Sequence, residues 1–523
     1  MPSAPRRAEL PKRPKRTPAD DLTPRHDIGL GIDLGTSAMK IAAFELQSGR
    51  RLAAVRAPLA VQSGADGRRE QDPAEIIRVL GRAASELRRR LGRRWGRIAG
   101  VGLAAQGGSA ILADRLSGSP LTIMQLWNDT RPYGLLPAIA RRRGRGYWRR
   151  LSLLDAPGAG LARIQWLRRH QPFAFGRNSI YVGAGEFVFF HLTGQWRQDA
   201  GNALQIGCYD VPQQRLVAQP LRLVGANLDF VAPLRAGHEK LSLSARGSQL
   251  LRLPAGIPVA GPYMDHEAGY LACAGLSKHP MQCSLGTAWV ANFVLPGDSP
   301  PGGALNLVLP NPLGRGRMVV RVMRAGSATW DWACRAAAVK KGPAAIVQAQ
   351  QSLRDGMPPP VGLVALPWLT QPGPWGLSSG GGILGITTET SRADLLRAIA
   401  AGMCFELKAV VAPAIQAGNI DAVVLTGGAS RSKYFQRFLA GLLAPTPVYV
   451  LKEEFFGCRG AVRAFLHRGN PPRVDRVPGA RPSVQTAIDH GYKVYCRTVN
   501  SLAAACRREA AGFLEDVAQR SRL

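Results

Sequence analysis

The sequence predicts an α/β protein of two domains, on three observations. The chain has 523 residues, 46% of them hydrophobic, which is too long for one core and apolar enough to fill two. The apolar stretch Ile28-Gly29-Leu30-Gly31-Ile32-Asp33-Leu34 runs into the turn Gly35-Thr36-Ser37 and then a second strand, Met39 to Leu46. That pair reads as a β-hairpin with an acidic residue at its turn. The same order of apolar strand and glycine-containing turn recurs at Met281 to Phe293 and at Asp421 to Ser432, which suggests a repeated nucleotide-binding architecture.

The other elements follow in order. Residues 1 to 26 are rich in Pro, Arg and Lys without hydrophobic periodicity, so they read as a disordered basic tail. A helix is expected over Asp72 to Leu91, with Pro73 suited to its first position and Ile76, Ile77, Leu80 and Ala84 on one face. Ile98 to Ala105 reads as a buried strand, and Leu151 to about Gly256 mixes helical patterns with loops. Pro258 to Ala260 leads into another Gly-rich strand and turn, and a helix is expected over Tyr434 to Leu443.

Composition narrows the function classes. No uninterrupted apolar run reaches the roughly 20 residues of a membrane span, and the N-terminus lacks the apolar core of a signal peptide. A cytoplasmic protein with no membrane partner is therefore expected. The eight cysteines show no CxxC pair or zinc-finger spacing and read as reduced, mostly buried thiols. Against 35 acidic residues stand 68 basic ones, a net charge of +33, and such a field attracts polyanions. The runs at Arg88-Arg89-Arg90, Arg93-Arg94 and Arg141-Arg142-Arg143 lack the aromatic interleaving of a single-strand platform. They read as solvated surface, with no specific nucleic acid expected.

Three turns carry the chemistry. Asp33-Leu34-Gly35-Thr36-Ser37 offers a carboxylate able to hold hydrated Mg²⁺, a glycine that lets backbone amides approach phosphate, and two hydroxyls; the same Asp could simply cap a turn. Ser284-Leu285-Gly286-Thr287 supplies amides and hydroxyls for a second side of a triphosphate, with an ordinary turn as the plain alternative. Val423-Val424-Leu425-Thr426-Gly427-Gly428-Ala429-Ser430 places paired glycines between a buried strand and a helix. It is not GxGxxG, which disfavours a dinucleotide site.

In this order the motifs resemble the FGGY carbohydrate kinases of the actin-like ATPase superfamily. The further points of likeness are Glu70-Gln71-Asp72-Pro73, Gln106, Leu126-Trp127-Asn128-Asp129-Thr130-Arg131, Leu192-Thr193-Gly194 with Asp199, Gly261 to Gly269, Gly385, and Asp394-Leu395-Leu396-Arg397-Ala398. The Leu126 to Arg131 segment looks most like the xylulokinase branch. The resemblance implies two ribonuclease-H-like domains with ATP in the cleft between them, divided here as 27–268 (sugar side) and 269–523 (ATP side, ending in a helical segment). It implies ATP and Mg²⁺ as cofactors and a small sugar or polyol as partner, with a homodimer left open.

Residue roles follow by position. Asp33 falls at the metal and, with Thr36 and Ser37, at the phosphates; Ser284, Gly286 and Thr287 fall at the phosphate tail; Gly427, Gly428, Ala429 and Ser430 line the adenosine pocket. Asp265, in Gly261-Pro262-Tyr263-Met264-Asp265-His266-Glu267-Ala268-Gly269, falls where the family places its base, and His266 is the rival base or a substrate neighbour. Gln106, Trp127, Asn128 and Asp129 are the sugar-side candidates, the plain alternative being that the Trp-Asn-Asp segment packs the domain. The implied activity is phosphoryl transfer to a sugar hydroxyl, a ketopentose such as xylulose or ribulose first.

Three departures from the pattern stand out. After Gln106, xylulokinase relatives carry Met-His and glycerol kinases Arg-Glu, whereas here stand Gly107 and Gly108; Arg163 replaces an expected Lys, and Ala401 an expected acidic residue. Two glycines predict a wider, less polar floor to the sugar pocket. They also motivate the alternative of an ATP-binding regulatory pseudokinase that has lost sugar recognition.

Overall fold

The computed structural model describes residues 26–286, 288–297, 306–337, 343–353, 357–369, 380–467 and 470–520. The expected basic tail, His26 apart, and the site candidate Thr287 lie outside the described residues.

In the first half, β1 (Ile28–Leu34), β2 (Ala38–Glu45) and β3 (Arg51–Pro58) form an antiparallel meander, and β4 (Ile98–Ala105) and β5 (Pro258–Met264) add parallel strands on the other side of β1. All seven residues of β1 are buried, as expected of an apolar run at the centre of a sheet. The helix α1 (Pro73–Leu91) starts where the sequence places it: the Asp72 carboxylate accepts from the Ala74 N–H, and Pro73 needs no acceptor in the first turn. Its apolar face, Ile76, Val79, Leu80, Ala83 and Leu87, packs in the core of this sheet.

The second half repeats the connectivity. Here β6 (Pro280–Leu285) and β7 (Trp289–Leu295) form a hairpin, β8 (Asn306–Pro310) and β9 (Arg317–Val322) extend it, and β10 (Ala422–Thr426), β11 (Val448–Leu451) and β12 (Val474–Arg476) complete the order β8-β9-β7-β6-β10-β11-β12. β10 runs parallel to β6 as β4 does to β1, and β11 parallel to β10 as β5 does to β4. Two copies of one mixed sheet are thus present, the ribonuclease-H-like arrangement expected.

Residues 62–183 also form a smaller sheet of short strands, whose loops carry Ser109 and Trp127 to Asp129. The eight cysteines were expected to be reduced; seven have described side chains, all free and six of them buried. One helix, α3 in the series begun by α1 and continued by α2 (Asp265–Cys273), covers Arg392–Gln416 and is long and apolar enough to cross a bilayer by length and composition. Leu396, Ile399, Met403, Phe405, Leu407 and Val411 bury it in the second core.

The halves meet backbone against backbone. The short helix α4 (Phe456–Ala461), from the second half, lies on β1 and β4 of the first and against α2. A Cβ on Gly31 would overlap the Cys458 carbonyl, one on Gly102 the Ala461 carbonyl, and one on Gly460 the Ala268 carbonyl. Only glycine permits these approaches.

Candidate active site

Asp33 lies at the strand end just before the glycine turn. It is the penultimate residue of β1, opposite Lys40 in β2. The Lys40 ammonium lies 3.1 Å from its Oδ2, and the Asp33 charge raises the Lys40 pKa. The α4 backbone seals the other side, since a Cβ on Gly457 would overlap Oδ2. Oδ1 makes no hydrogen bond among the described residues. Asp33 therefore stands where the halves touch, one oxygen held and one available.

Thr36, expected at the phosphates, is bonded to two of the sugar-side candidates. Its hydroxyl donates to Gln106 Oε1 (2.7 Å) and accepts from Trp127 Nε1 (3.1 Å), while Gln71 Nε2 donates to its carbonyl (2.7 Å) and Gln106 Nε2 to Gln71 Oε1 (3.1 Å). This ring of bonds aims Gln106 and half-exposed Trp127 at one place. Ser37 is exposed beside it. Asn128 belongs with them, because its Oδ1 is buried without a hydrogen-bond partner, and such a group invites a ligand.

Asp129 is fully buried, and its carboxylate accepts from the N–H groups of Arg69 and Arg131 and from the Arg131 guanidinium, which also meets Glu70 and stacks 4.6 Å from the Trp166 ring centre. Its acceptor capacity is engaged within the protein, where it shapes the loop that carries Trp127 and Asn128. Arg163, where Lys was expected, has the matching task. Nearly fully buried, it donates to the carbonyls of Gly108, Leu126 (3.0 Å) and Trp127 (2.7 Å), tying the two sugar-side loops with one forked guanidinium.

The wide floor predicted at Gly107 and Gly108 is absent. The amide of Gln205 lies against both glycines, its nitrogen over Gly107 and its oxygen over Gly108, with Met264 beside it. The sequence hid this because Gln205 is nearly a hundred residues away on a different helix, Ala200–Ile206.

Asp265 opens α2 at the end of β5, half buried, with Oδ1 accepting the His266 N–H (2.9 Å). The His266 imidazole makes no hydrogen bond among the described residues, so both candidate bases stand at one helix start. Behind them is a group of carboxylates of which the motifs included Asp199 and Glu267, without a role, and left out Glu186. Burial pushes Glu186 up to about 8 and Asp199 to about 6, with the charge of Asp265 adding to the rise at Asp199. Burial, then the Asp199 charge, also raises Glu267. Asp199 caps the Ala200–Ile206 helix through the Asn202 N–H (2.7 Å). A cavity of about 300 Å³ opens next to Asp199 and Glu267, walled by Tyr209 and His238 from the first half and Asn311 from the second. A single Glu inside Gly183-Ala184-Gly185-Glu186-Phe187-Val188-Phe189-Phe190 was the available signal, because an unpaired acid is rarely fully buried.

These carboxylates set a stability profile. A folded-state pKa above the unfolded value means the native state binds the extra proton, so stability is full below about pH 4.5 for that group and is lost as pH rises through the raised value. Glu406, pushed by burial to about 7 while accepting from the Arg324 and Ala325 N–H groups, has the same sign. His191, lowered by burial to about 4, has the opposite sign and erodes stability as pH falls from 6.5. Because the raised carboxylates outnumber the one lowered histidine, thermal stability should fall from about pH 5 to pH 8.5 by several degrees, and Glu186→Gln should flatten that drop. An unchanged slope in Glu186→Gln would assign the drop to other groups.

On the other side, Gly286 and Gly427 meet at the ends of the parallel strands β6 and β10. A Cβ on Gly427 would lie 2.9 Å from the Leu285 carbonyl and 3.1 Å from the Gly286 nitrogen, and Gly427 has φ +87°. Above Gly428 there is open space. Ser430 Oγ donates to the Gly427 carbonyl (2.7 Å), with Ala429 between them in a 3₁₀ turn. Ser284 is in β6, paired with Val290 and Thr426. Asp33, Asp265, Gly286 and Gly427 thus all lie at or just beyond the C-terminal ends of parallel strands, where open α/β sheets bind ligands. A larger cleft, about 1200 Å³, lies on the outer face between β3, α1 and Arg252. It contains none of these residues.

The comparisons agree with this geometry. Residues 28–272 match the N-terminal domain, and residues 281–466 the C-terminal domain, of the FGGY family of carbohydrate kinases. The chain is 25% identical over 449 residues to the xylulose kinase of Escherichia coli K12, covering 85% of this chain and 90% of that one. It is 27% identical over 498 residues to the glycerol kinase of Alkalilimnicola ehrlichii, covering 88% and 92%. In fold it is similar to a xyloylose kinase from Brucella ovis, with a TM-score of 0.81 at 23% identity, covering 91% of this chain and all of the other. With both domain types matched in order along one polypeptide and both sheets built alike, the chain belongs to the FGGY family of carbohydrate kinases.

Proposed function

We propose that this kinase transfers the γ-phosphoryl group of ATP to a hydroxyl of a ketopentose such as xylulose or ribulose, with Asp265 as general base. The observation that carries the reading is the placement of Asp265 at the end of β5, whose Met264 pairs with Ala105, so that Asp265 and Gln106 leave adjacent strand ends, with Asp265 only half buried. A sugar hydroxyl attacks well only when a carboxylate orients it and accepts its proton. The glycine turns at 286 and 427–428 leave backbone room for the phosphates and nucleoside.

Mg²⁺ suits the site. It usually keeps several waters and takes one or two carboxylates together with substrate phosphates, and the available Asp33 oxygen meets that need without the three-ligand cluster that is missing among the described residues. When bound, it would neutralise charge on the β- and γ-phosphates. Lys40 holds the other Asp33 oxygen and so fixes the carboxylate's orientation.

The pseudokinase reading rested on an empty floor at Gly107 and Gly108, and Gln205 fills that floor. A coupled ADP-release screen over pentuloses, hexuloses, aldoses and polyols tests the proposal. Xylulose or ribulose should give the highest kcat/KM and glycerol a low one, because a small triol reaches fewer of these groups; glycerol as best acceptor would overturn the ketopentose assignment.

A further inference from the structure

We propose that Gln205 is a specificity-determining residue of the acceptor site, its side-chain amide taking over the space and the hydrogen bonding that residues 107 and 108 cannot supply. The inference rests on the kinase reading above and deepens it.

Three observations carry it. First, the position is occupied: a methyl group on Gly107 would overlap Gln205 Nε2, and one on Gly108 would overlap Oε1 while lying 3.4 Å from Trp127 Cβ. The amide therefore borders Trp127, whose indole N–H is tied to Thr36. Second, its backbone is fixed while its tip is not. The helix carrying it is capped by Asp199, and its last residues press so closely on Gly158 and Gly160 that a Cβ there would lie 2.5 Å from the Gln205 carbonyl oxygen and from Ile206 Cα, respectively. Third, the amide is nearly idle within the protein. Nε2 donates only to the Met264 thioether (3.0 Å), a weak acceptor, and Oε1 accepts nothing among the described residues.

A neutral amide with a free carbonyl oxygen and a spare N–H suits adjacent sugar hydroxyls, one donating and one accepting. It offers no charge to a carboxylate or phosphate on the acceptor, so uncharged polyhydroxyl compounds are the substrate class it selects. Met264 precedes Asp265, which places this recognition next to the proton-accepting carboxylate.

The test is a double-mutant cycle on the full chain, read with xylulose, ribulose and glycerol as acceptors. Gln205→Ala should raise the KM for xylulose roughly tenfold, the scale of one lost hydrogen bond to an uncharged group, and narrow the preference for xylulose over glycerol. The KM for ATP and the melting temperature should stay put. Gly107→Ala should act the same way, since its methyl evicts the flexible amide tip, and in the Gln205→Ala background it should keep only the smaller effect of pressing on Met264 (2.9 Å). If the native enzyme turns over xylulose and both single variants leave acceptor KM and preference unchanged, or shift only the melting temperature, this inference fails alone. If no acceptor at all stimulates ADP release by the native enzyme, the kinase reading and this inference fall together.

Discussion

Asp265→Asn is expected to lower kcat by about 10²- to 10⁴-fold, the usual range for loss of a general base, with the fold and ATP affinity intact. The amide preserves the shape and the hydrogen bond accepted from the His266 N–H, so α2 should still start at this residue. What vanishes is a group able to take the hydroxyl proton as the phosphoryl group leaves ATP. His266→Ala is the control, because the two side chains share one helix start. A near-native kcat across pH in Asp265→Asn, paired with a large loss in His266→Ala, would transfer the role to His266.

Arg163→Met is expected to destabilise the protein by about 1–3 kcal/mol, the cost of leaving buried acceptors without their donor. Three carbonyls, at Gly108, Leu126 and Trp127, lose their shared donor together. Because those carbonyls belong to both sugar-side loops, acceptor KM should rise as well, while KM for ATP should not. Arg163→Lys should do far less harm, since an ammonium has three donors, although from a single point instead of a planar fork. Equal losses in both variants, measured by melting and by acceptor KM, would show that side-chain volume and not carbonyl bonding keeps the loops in place.

The repeated sheets were legible in the sequence because each strand has a local signature. β4 and α1 fall where hydrophobic spacing puts them, and the Asp72-Pro73 cap announces its helix. The three glycine turns were legible for the same reason. The acceptor side was harder to read, since its geometry comes from contacts distant along the chain. Thr36 reads as a phosphate group, and only the fold shows Gln106 and Trp127 using its hydroxyl. Asp129 looks free until Arg131 and Arg69 are brought to it. Two glycines look like a hole until Gln205 arrives from another helix. Glu186 carries no motif, and Glu267 stands in one without a role; only burial makes them unusual.

The seam between the halves has a mechanical consequence. At Gly31, Gly102 and Gly460 bare backbones lie against one another, while beside them the Phe465 ring covers Gly100 and Phe44 and Leu46 interlock with Phe455, Cys458 and Val462 in a small shared core. The seam is thus keyed at its edge and close at its middle, so the halves move relative to one another by pivoting about it and not by sliding. The carboxylate of Asp33, pressed against Gly457, lies at that pivot. A change in how the halves meet would thus be felt first at the Asp33 carboxylate.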